Sequence, residues 1–290
     1  MATDFTEANA ADAVVDSFAD TPDPRLRTIM SSLVRHLHAF VRDVEPTLPE
    51  WEQAIDFLTA VGQKCDDKRQ EFILFSDALG VSMLVETINA RGAAETTAST
   101  VLGPFHVVES PPRELGDSID LLGGEPCVVT GRVRSVDGTP LPGARLDIWQ
   151  ASDRGFYDVQ QPDVQPEGNL RGLFTADADG AFWFRTVVPS YYPIPTDGPV
   201  GQLLTATNRH PYRPAHIHFI VSADGHVPVT THVFVADSPY IDSDAVFAVK
   251  RSLIREFRVV DDEDEASAYG VPAPFRLATV EFVLERREQG

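Results

Sequence analysis

Val128-Val-Thr-Gly-Arg-Val-Arg-Ser-Val-Asp-Gly-Thr-Pro-Leu-Pro-Gly-Ala144 decides how the larger part of this chain is read. Valines crowd its first half, a composition that suits a pleated and half-buried strand. The run then breaks at Asp137-Gly138, where glycine supplies the positive φ of a tight turn. Outward from it the same pattern recurs. Strand-like runs lie at Cys127–Val136, Ala144–Gln150, Ala181–Val188, Ala215–Ser222, Val229–Ala236 and Leu277–Leu284, with further turns at Asp179-Gly180 and Asp224-Gly225. Several strands joined by turns and longer loops predict a β-sandwich. The acidic stretch Asp261-Asp-Glu-Asp-Glu265 reads as a solvated loop.

Before about Gly103 the character is different. Leu26, Ile29, Met30, Leu33, Leu37, Phe40 and Val44 recur at steps of three and four, which places them on one helical face. Thr47-Leu-Pro-Glu50 has the capping-box pattern, and Trp51, Ile55, Leu58 and Val61 continue the apolar stripe. Further helical segments surround Phe72–Phe75 and run from Val81 to Asn89, so helices extend from Pro24 to about Arg91. The expected class is α+β: a flexible arm over residues 1–22, a helical domain over 23–100, and a predominantly antiparallel β-sandwich over 101–290.

A chain of 290 residues is long enough to bury one substantial core, or a core and a smaller helical domain. With 24 basic and 44 acidic side chains the net charge is −20, which disfavours binding to a phosphate backbone. Nucleic acid is therefore not an expected partner. Two cysteines, Cys65 and Cys127, read as free thiols rather than a disulfide scaffold. The first residues lack a basic segment followed by an apolar one, and no apolar run is long enough to cross a bilayer. The expectation is a cytoplasmic protein without a membrane partner.

The chemistry-bearing segment is Arg213-Pro-Ala-His-Ile-His218. Residues two apart on a strand face the same way, so His216 and His218 present two imidazoles to one point. Such a pair either ligates a metal or hydrogen-bonds on a half-buried strand. Tyr157 follows the strand ending in Trp149-Gln150, and Tyr192 lies in Pro189-Ser-Tyr-Tyr-Pro-Ile-Pro-Thr-Asp-Gly-Pro199, a loop restrained by four prolines. A phenol, with an ordinary pKa of about 10, binds metal well only where the cation is acidic enough to remove its proton. Zinc favours His, Cys and carboxylate, and ferrous oxygenases favour two His and one carboxylate. Two phenolates with two imidazoles would suit Fe(III); taken alone, both tyrosines read as packing residues. His36, His38, His106, His210 and His226 read as surface or structural residues.

Leu146-Asp-Ile-Trp-Gln-Ala-Ser-Asp-Arg-Gly-Phe-Tyr-Asp158, the loop after Tyr192 and Arg213-Pro-Ala-His-Ile-His-Phe219 resemble the intradiol ring-cleavage dioxygenases in order and approximate spacing. Val101-Leu-Gly-Pro-Phe105, Val221-Ser-Ala-Asp-Gly-His226 and Gln70-Glu-Phe-Ile-Leu-Phe-Ser-Asp-Ala-Leu-Gly80 extend the resemblance over most of the chain from about residue 24. It implies one Fe(III) per chain held by Tyr157, Tyr192, His216 and His218, with Tyr192 also accepting a substrate proton and Arg213 as the active-site arginine. Leu74, Asp77, Leu102, Gly103, Pro104, Phe105 and Ile194 match the family's substrate pocket. His232 stands where many catechol-cleaving members carry glutamine, a difference that either alters hydrogen bonding around the metal or simply marks a subfamily, and leaves the ligands unchanged. The resemblance further implies a small aromatic diol or triol and O2 as reactants, and a homodimer joined through the N-terminal helices with room for a bound lipid.

Within the family, the segments from Phe72 to Glu86 and from Asp242 to Lys250 look most similar to the branch that cleaves hydroxyquinol (benzene-1,2,4-triol) to 3-hydroxy-cis,cis-muconate, the enol form of maleylacetate. On chemistry alone Asp77 either bonds an extra ring hydroxyl or caps a helix. The alternatives are cleavage of catechol or chlorocatechol, a transthyretin-like binding module suggested by the run at Val128–Ala144, and a zinc hydrolase.

Overall fold

The structure is a computed structural model that describes residues 4–66, 69–90, 95–107 and 110–287. The expected end of the helical region near Arg91 lies outside the described residues. The chain divides into two compact units, Met1–Ala60 and Val61–Gly290, with the boundary inside the third helix.

The first unit carries α1 (Ala10–Asp16), α2 (Pro24–Val44) and most of α3 (Leu48–Gln63). Asp23 starts α2 by accepting a bond from the Arg25 amide at 2.8 Å, with Pro24 pre-set for the first turn. Thr47 and Glu50 close a reciprocal capping box on α3, Thr47 N donating to Glu50 at 2.8 Å and Glu50 N to Thr47 at 3.4 Å. The stripe read from the sequence lies along α2 on the surface: Leu26, Ile29, Leu33, Leu37 and Phe40 are 46% to 60% exposed, and Val34 is the helix's buried residue. The arm expected over residues 1–22 instead contains α1. Its start is organised by Thr6 N donating to Asn9 Oδ1 at 2.8 Å, and Asp12 pairs with Arg35 of α2 at 3.0 Å.

The second unit takes the end of α3 and continues with α4 (Glu71–Ala78) and α5 (Val81–Asn89). Strands β1 (Pro126–Ser135), β2 (Arg145–Gln150), β3 (Arg171–Thr175), β4 (Ala181–Val187) and the two-residue β5 (Tyr192–Pro193) follow. After α6 (Pro199–Ala206) come β6 (Tyr212–Arg213), β7 (His216–Ser222), β8 (Val229–Val235), β9 (Ile254–Arg255), β10 (Arg258–Val260), α7 (Glu263–Tyr269) and β11 (Phe275–Leu284). One sheet has the order β10-β11-β1-β4, a second β3-β2-β7-β8-β9, and β5 pairs with β6. Pairing is antiparallel except for β1 with β11 and β8 with β9.

The two larger sheets share one core. Val129, Val133, Phe184, Val280 and Phe282 enter it from one sheet, and Ile148, Phe174, Ile217, Phe219 and Val233 from the other. The Phe219 ring lies 4.8 Å from Phe282 and 6.4 Å from Phe184, so rings of the two sheets interdigitate. Each such side chain contributes about 1.5–3 kcal/mol on full burial. Because strand side chains alternate, Ile217 and Phe219 in the core leave His216 and His218 on the opposite face of the same sheet.

The acidic stretch Asp261–Glu265 is not a loop throughout: it starts α7, with the Asp262 carboxylate accepting from Glu265 N at 2.8 Å. Acidic side chains there complement the positive end of the helix dipole. Strand β3 and helix α6 also go beyond the sequence reading. The first is short and opens with Arg-Gly, and the second begins at a proline inside a segment that reads as loop.

Candidate metal centre

On the outer face of the five-stranded sheet, β7 presents His216 and His218 side by side, their Nε2 atoms 3.2 Å apart. The loop after β2 brings Tyr157 in, with its Oη 3.0 Å from His218 Nε2. Tyr192 arrives on β5, opposite Arg213 on β6, and places its Oη 3.3 Å from Tyr157 Oη and 3.4 Å from His216 Nε2. The loop can turn in only because residue 155 is glycine. Its φ is +78°, and a Cβ there would sit 2.9 Å from the Tyr191 carbonyl and 3.1 Å from Tyr192 Cβ.

The four donor atoms thus close a ring with neighbouring separations of 3.0–3.4 Å, and all four residues are at most 4% exposed. Metal–donor bonds of about 2.0–2.2 Å place donors roughly 3 Å apart, so one ion fits among them. Nδ1 of His216 donates to the Pro214 carbonyl at 2.7 Å, since a carbonyl only accepts, and this leaves Nε2 as the free lone pair. Burial holds both imidazoles well below the usual histidine range, with the Arg213 charge adding to the effect. Burial likewise pushes the Tyr157 phenol well above its ordinary value, with Tyr192 beside it as the next cause. Without a strong cation, the Tyr157 phenol and both imidazoles are held in their neutral forms.

Arg213 is buried beside this ring, Nη1 lying 3.4 Å from both Tyr192 Oη and His216 Nε2. Its other edge meets Asp244, Nε to Oδ1 at 3.1 Å and Nη2 to Oδ2 at 3.4 Å. Burial works against the guanidinium charge, yet Asp244 and the two phenols hold its pKa above the usual arginine value. Asp244 is itself fixed by the Val246 and Ala248 amides at 3.3 and 3.0 Å.

His232 joins the two β7 histidines: one nitrogen of each lies within 4.8 Å of the others, a group placed to bind a metal. Its Nδ1 makes a short hydrogen bond with Thr100 Oγ1. Three further contacts frame the ring. Trp149 stacks on His218 with centroids 4.6 Å apart, Phe105 stacks on Tyr157 at 4.5 Å, and the residue after Tyr157, Asp158, forms a buried 2.6 Å ion pair with Arg171. Sequence reading did not find Asp244, Trp149, Thr100 or the Asp158–Arg171 pair. Trp149, Asp158 and Asp244 lie in segments that carry the family resemblance, but no role followed from it, and Thr100 and Arg171 carried no signal.

The pocket residues are gathered in part. Leu74 and Ile194 share one apolar cluster with Phe234 and Val246. A Cβ on Gly103 would lie 3.2 Å from His218 Cε1, which puts this backbone against the ring of donors. Asp77 is buried, and burial raises its carboxyl above the usual range while Ser82 and Arg213 pull it back. Leu102, 42% exposed, and Pro104 lie on the surface. A cleft of about 580 Å3 lined by Arg209, Asp242, Phe247 and Arg251 touches Asp244 but none of the four donors. Three other histidines have polar partners: His106 pairs with Asp147 at 3.1 Å, His210 with Ser243 at 3.0 Å and His226 with the Asp224 carbonyl at 2.9 Å.

Two family models cover the chain, catechol dioxygenase N terminus over residues 23–97 and dioxygenase over 110–285. The chain belongs to the intradiol ring-cleavage dioxygenase family and is an enzyme of that class. Hydroxyquinol 1,2-dioxygenase of Rhizobium sp. (strain MTP-10005) is 55% identical over 97% of this chain and 96% of its own. For 6-chlorohydroxyquinol 1,2-dioxygenase of Cupriavidus pinatubonensis the identity is 51%, over 88% of this chain and 92% of its own. Among solved structures, hydroxyquinol 1,2-dioxygenase from Pseudomonas putida DLL-E4 superposes with a TM-score of 0.91 at 52% identity, covering 97% of this chain and 99% of that one. No helix among the described residues is long and apolar enough to cross a membrane.

Proposed function

We propose that this enzyme opens hydroxyquinol between its adjacent hydroxyls with O2, yielding 3-hydroxy-cis,cis-muconate, at one ferric ion held by Tyr157, Tyr192, His216 and His218. The convergence of two phenols and two imidazoles, 3.0–3.4 Å from neighbour to neighbour, carries the reading. A trivalent ion there supplies Lewis acidity strong enough to keep buried phenols ionised and a centre that draws electron density from an aromatic diol. Tyr192 Oη, beside the fixed charge of Arg213, accepts a substrate proton. Arg213 stabilises negative charge on the ring, and its pairing with Asp244 holds it ready for that task. Leu74 and Ile194 form the apolar wall, while Asp77 receives the third hydroxyl, the feature that separates a triol from catechol. The full-length similarity to hydroxyquinol-named relatives supports the same substrate.

Fresh protein is expected to contain one iron per chain and to show a visible phenolate-to-iron band that weakens in Tyr192→Phe. An unchanged spectrum removes that tyrosine from the centre. Oxygen uptake on matched hydroxyquinol and catechol tests the substrate, and faster turnover of catechol overturns it.

We propose in addition that two copies join through the apolar stripe of α2, whose exposure in the single chain supports a partner with the same face, and that a lipid tail lodges against it. Light scattering on wild type and Leu33→Glu, and native mass spectrometry for the lipid, test these points. Residues 23–100 and 101–290 are taken as the helical and catalytic parts, a division supported by the family-model bounds of 23–97 and 110–285. Free Cys65 and Cys127 support a reducing, cytoplasmic setting.

A further inference from the structure

The registers of three adjacent strand pairs line up a single row across the five-stranded sheet. Arg171 on β3 lies opposite Trp149 on β2, Trp149 opposite His218 on β7, and His218 opposite His232 on β8. Residues directly opposite one another share a face, so all four project to the side that carries the donors. None is more than 1% exposed.

Within this row the two β7 histidines are held by different means. The second ring nitrogen of a metal-binding histidine ordinarily donates a hydrogen bond that fixes the ring and raises its basicity. His216 follows the rule, with Nδ1 bonded to the Pro214 carbonyl at 2.7 Å. His218 departs from it: its Nδ1 is buried and has no hydrogen-bond partner among the described residues. What stands beside the His218 ring is aromatic. The Trp149 indole lies nearly parallel to it, centroids 4.6 Å apart at 11°, and His232 flanks it at 4.1 Å and 52°. The Gly103 backbone approaches its Cε1 edge.

Trp149 is in turn oriented by packing, because its Nε1 also lacks a partner among the described residues. His106 meets the indole edge-on at 4.7 Å and 62°, and Asp147 holds His106 at 3.1 Å. A rigid series therefore runs from Asp147 through His106 and Trp149 to His218.

We propose that Trp149 is a positioning residue for His218, fixing by ring stacking the ligand orientation that a hydrogen bond fixes for His216. The two imidazoles are consequently unequal: His216 is the more electron-donating, and His218 depends on the indole face to keep Nε2 on the metal. This rests on the four-donor reading given above.

Iron release from the holoenzyme to a strong chelator tests it, with thermal unfolding alongside to report the fold. Trp149→Leu removes the flat face and is expected to release iron about 10–100-fold faster, the usual effect of losing a ligand-orienting neighbour. Trp149→Phe restores a stacking face and is expected to release iron at close to the wild-type rate. A leucine variant that retains iron like wild type overturns the proposal, as does a phenylalanine variant no better than leucine. Should the leucine variant not fold, pulsed EPR of the wild-type holoenzyme decides: the remote nitrogens of the two imidazoles are expected to give two distinct quadrupole couplings, and one shared value refutes the inequality. His218→Ala serves as the control, since iron retained in that variant overturns the four-donor reading rather than the role of Trp149.

Discussion

Arg213 and Asp244 form a buried ion pair, Nε to Oδ1 at 3.1 Å, in which the carboxylate takes one edge of the guanidinium and leaves Nη1 facing Tyr192 and His216. The pair makes a positive charge tolerable where both side chains are almost fully buried. Removing one member strands the other. Asp244→Ala is expected to cost about 3–5 kcal/mol in urea unfolding, whereas Asp244→Asn, which retains an acceptor for the Val246 and Ala248 amides, costs less. Both should lower kcat, because the arginine edge opposite Tyr192 loses its counter-hold. Stability and kcat at wild-type values in Asp244→Ala would contradict this account.

Asp77 should act on substrate choice more than on the reaction itself. A buried carboxylate facing a ring hydroxyl contributes about 1.5–3 kcal/mol through a charge-assisted bond, equivalent to roughly 10–100-fold. Asp77→Ala is therefore expected to lower kcat/KM for hydroxyquinol by that factor while leaving catechol almost untouched. Equal losses on both substrates would assign Asp77 to holding the fold.

Gly155→Ala probes the turn that delivers Tyr157. The new methyl meets the Tyr191 carbonyl at 2.9 Å and must also adopt a φ of +78°, a strain of about 1–2 kcal/mol for an L-residue. Since Tyr191 adjoins Tyr192, the expected signature is a shifted or broadened visible band together with a lower melting temperature. A melting change with an unaltered band would separate the turn from the donors.

The metal-free protein should lose stability in mild acid. Burial depresses the folded-state pKa values of His216, His218 and His232 well below 6.5. Below pH about 6.5 the unfolded chain takes up protons that the folded chain refuses. Stability thus falls as pH drops from about 6.5 towards the folded pKa values, by up to about 1.4 kcal/mol per pH unit for each histidine. Urea unfolding of apoprotein between pH 7.5 and 5.5 measures the slope, and His232→Gln should reduce it by about one histidine's share. A flat profile would mean that these rings titrate normally in the fold.

Much of this could be read from the sequence because the signals were local. The strand-like runs became β1, β2, β4, β7, β8 and β11, several of them bounded by the turn glycines Gly138, Gly180 and Gly225, and the two-residue spacing of His216 and His218 already placed them on one face. The Thr47–Glu50 cap was legible because both partners lie within one turn. What stayed hidden was non-local. Asp244 lies 31 residues from Arg213, Thr100 lies 132 from His232, and no spacing rule connects them. Strand β3 was missed because five residues opening with Arg-Gly carry no alternation, and its place follows from pairing with β2. α7 was missed because a run of acids looks like solvated loop until Asp262 is seen to cap it.

On β7 the residues alternate between two fates: Ile217 and Phe219 enter the hydrocarbon interior, while His216 and His218 meet the tyrosines. A slip of one residue in pairing would exchange them, putting hydrocarbon where donors are needed and two imidazoles where nothing can bond them. Half-correct registry is thus ruled out as a dim but working form. In this enzyme, learning to fold and learning to hold its metal are the same event for that strand.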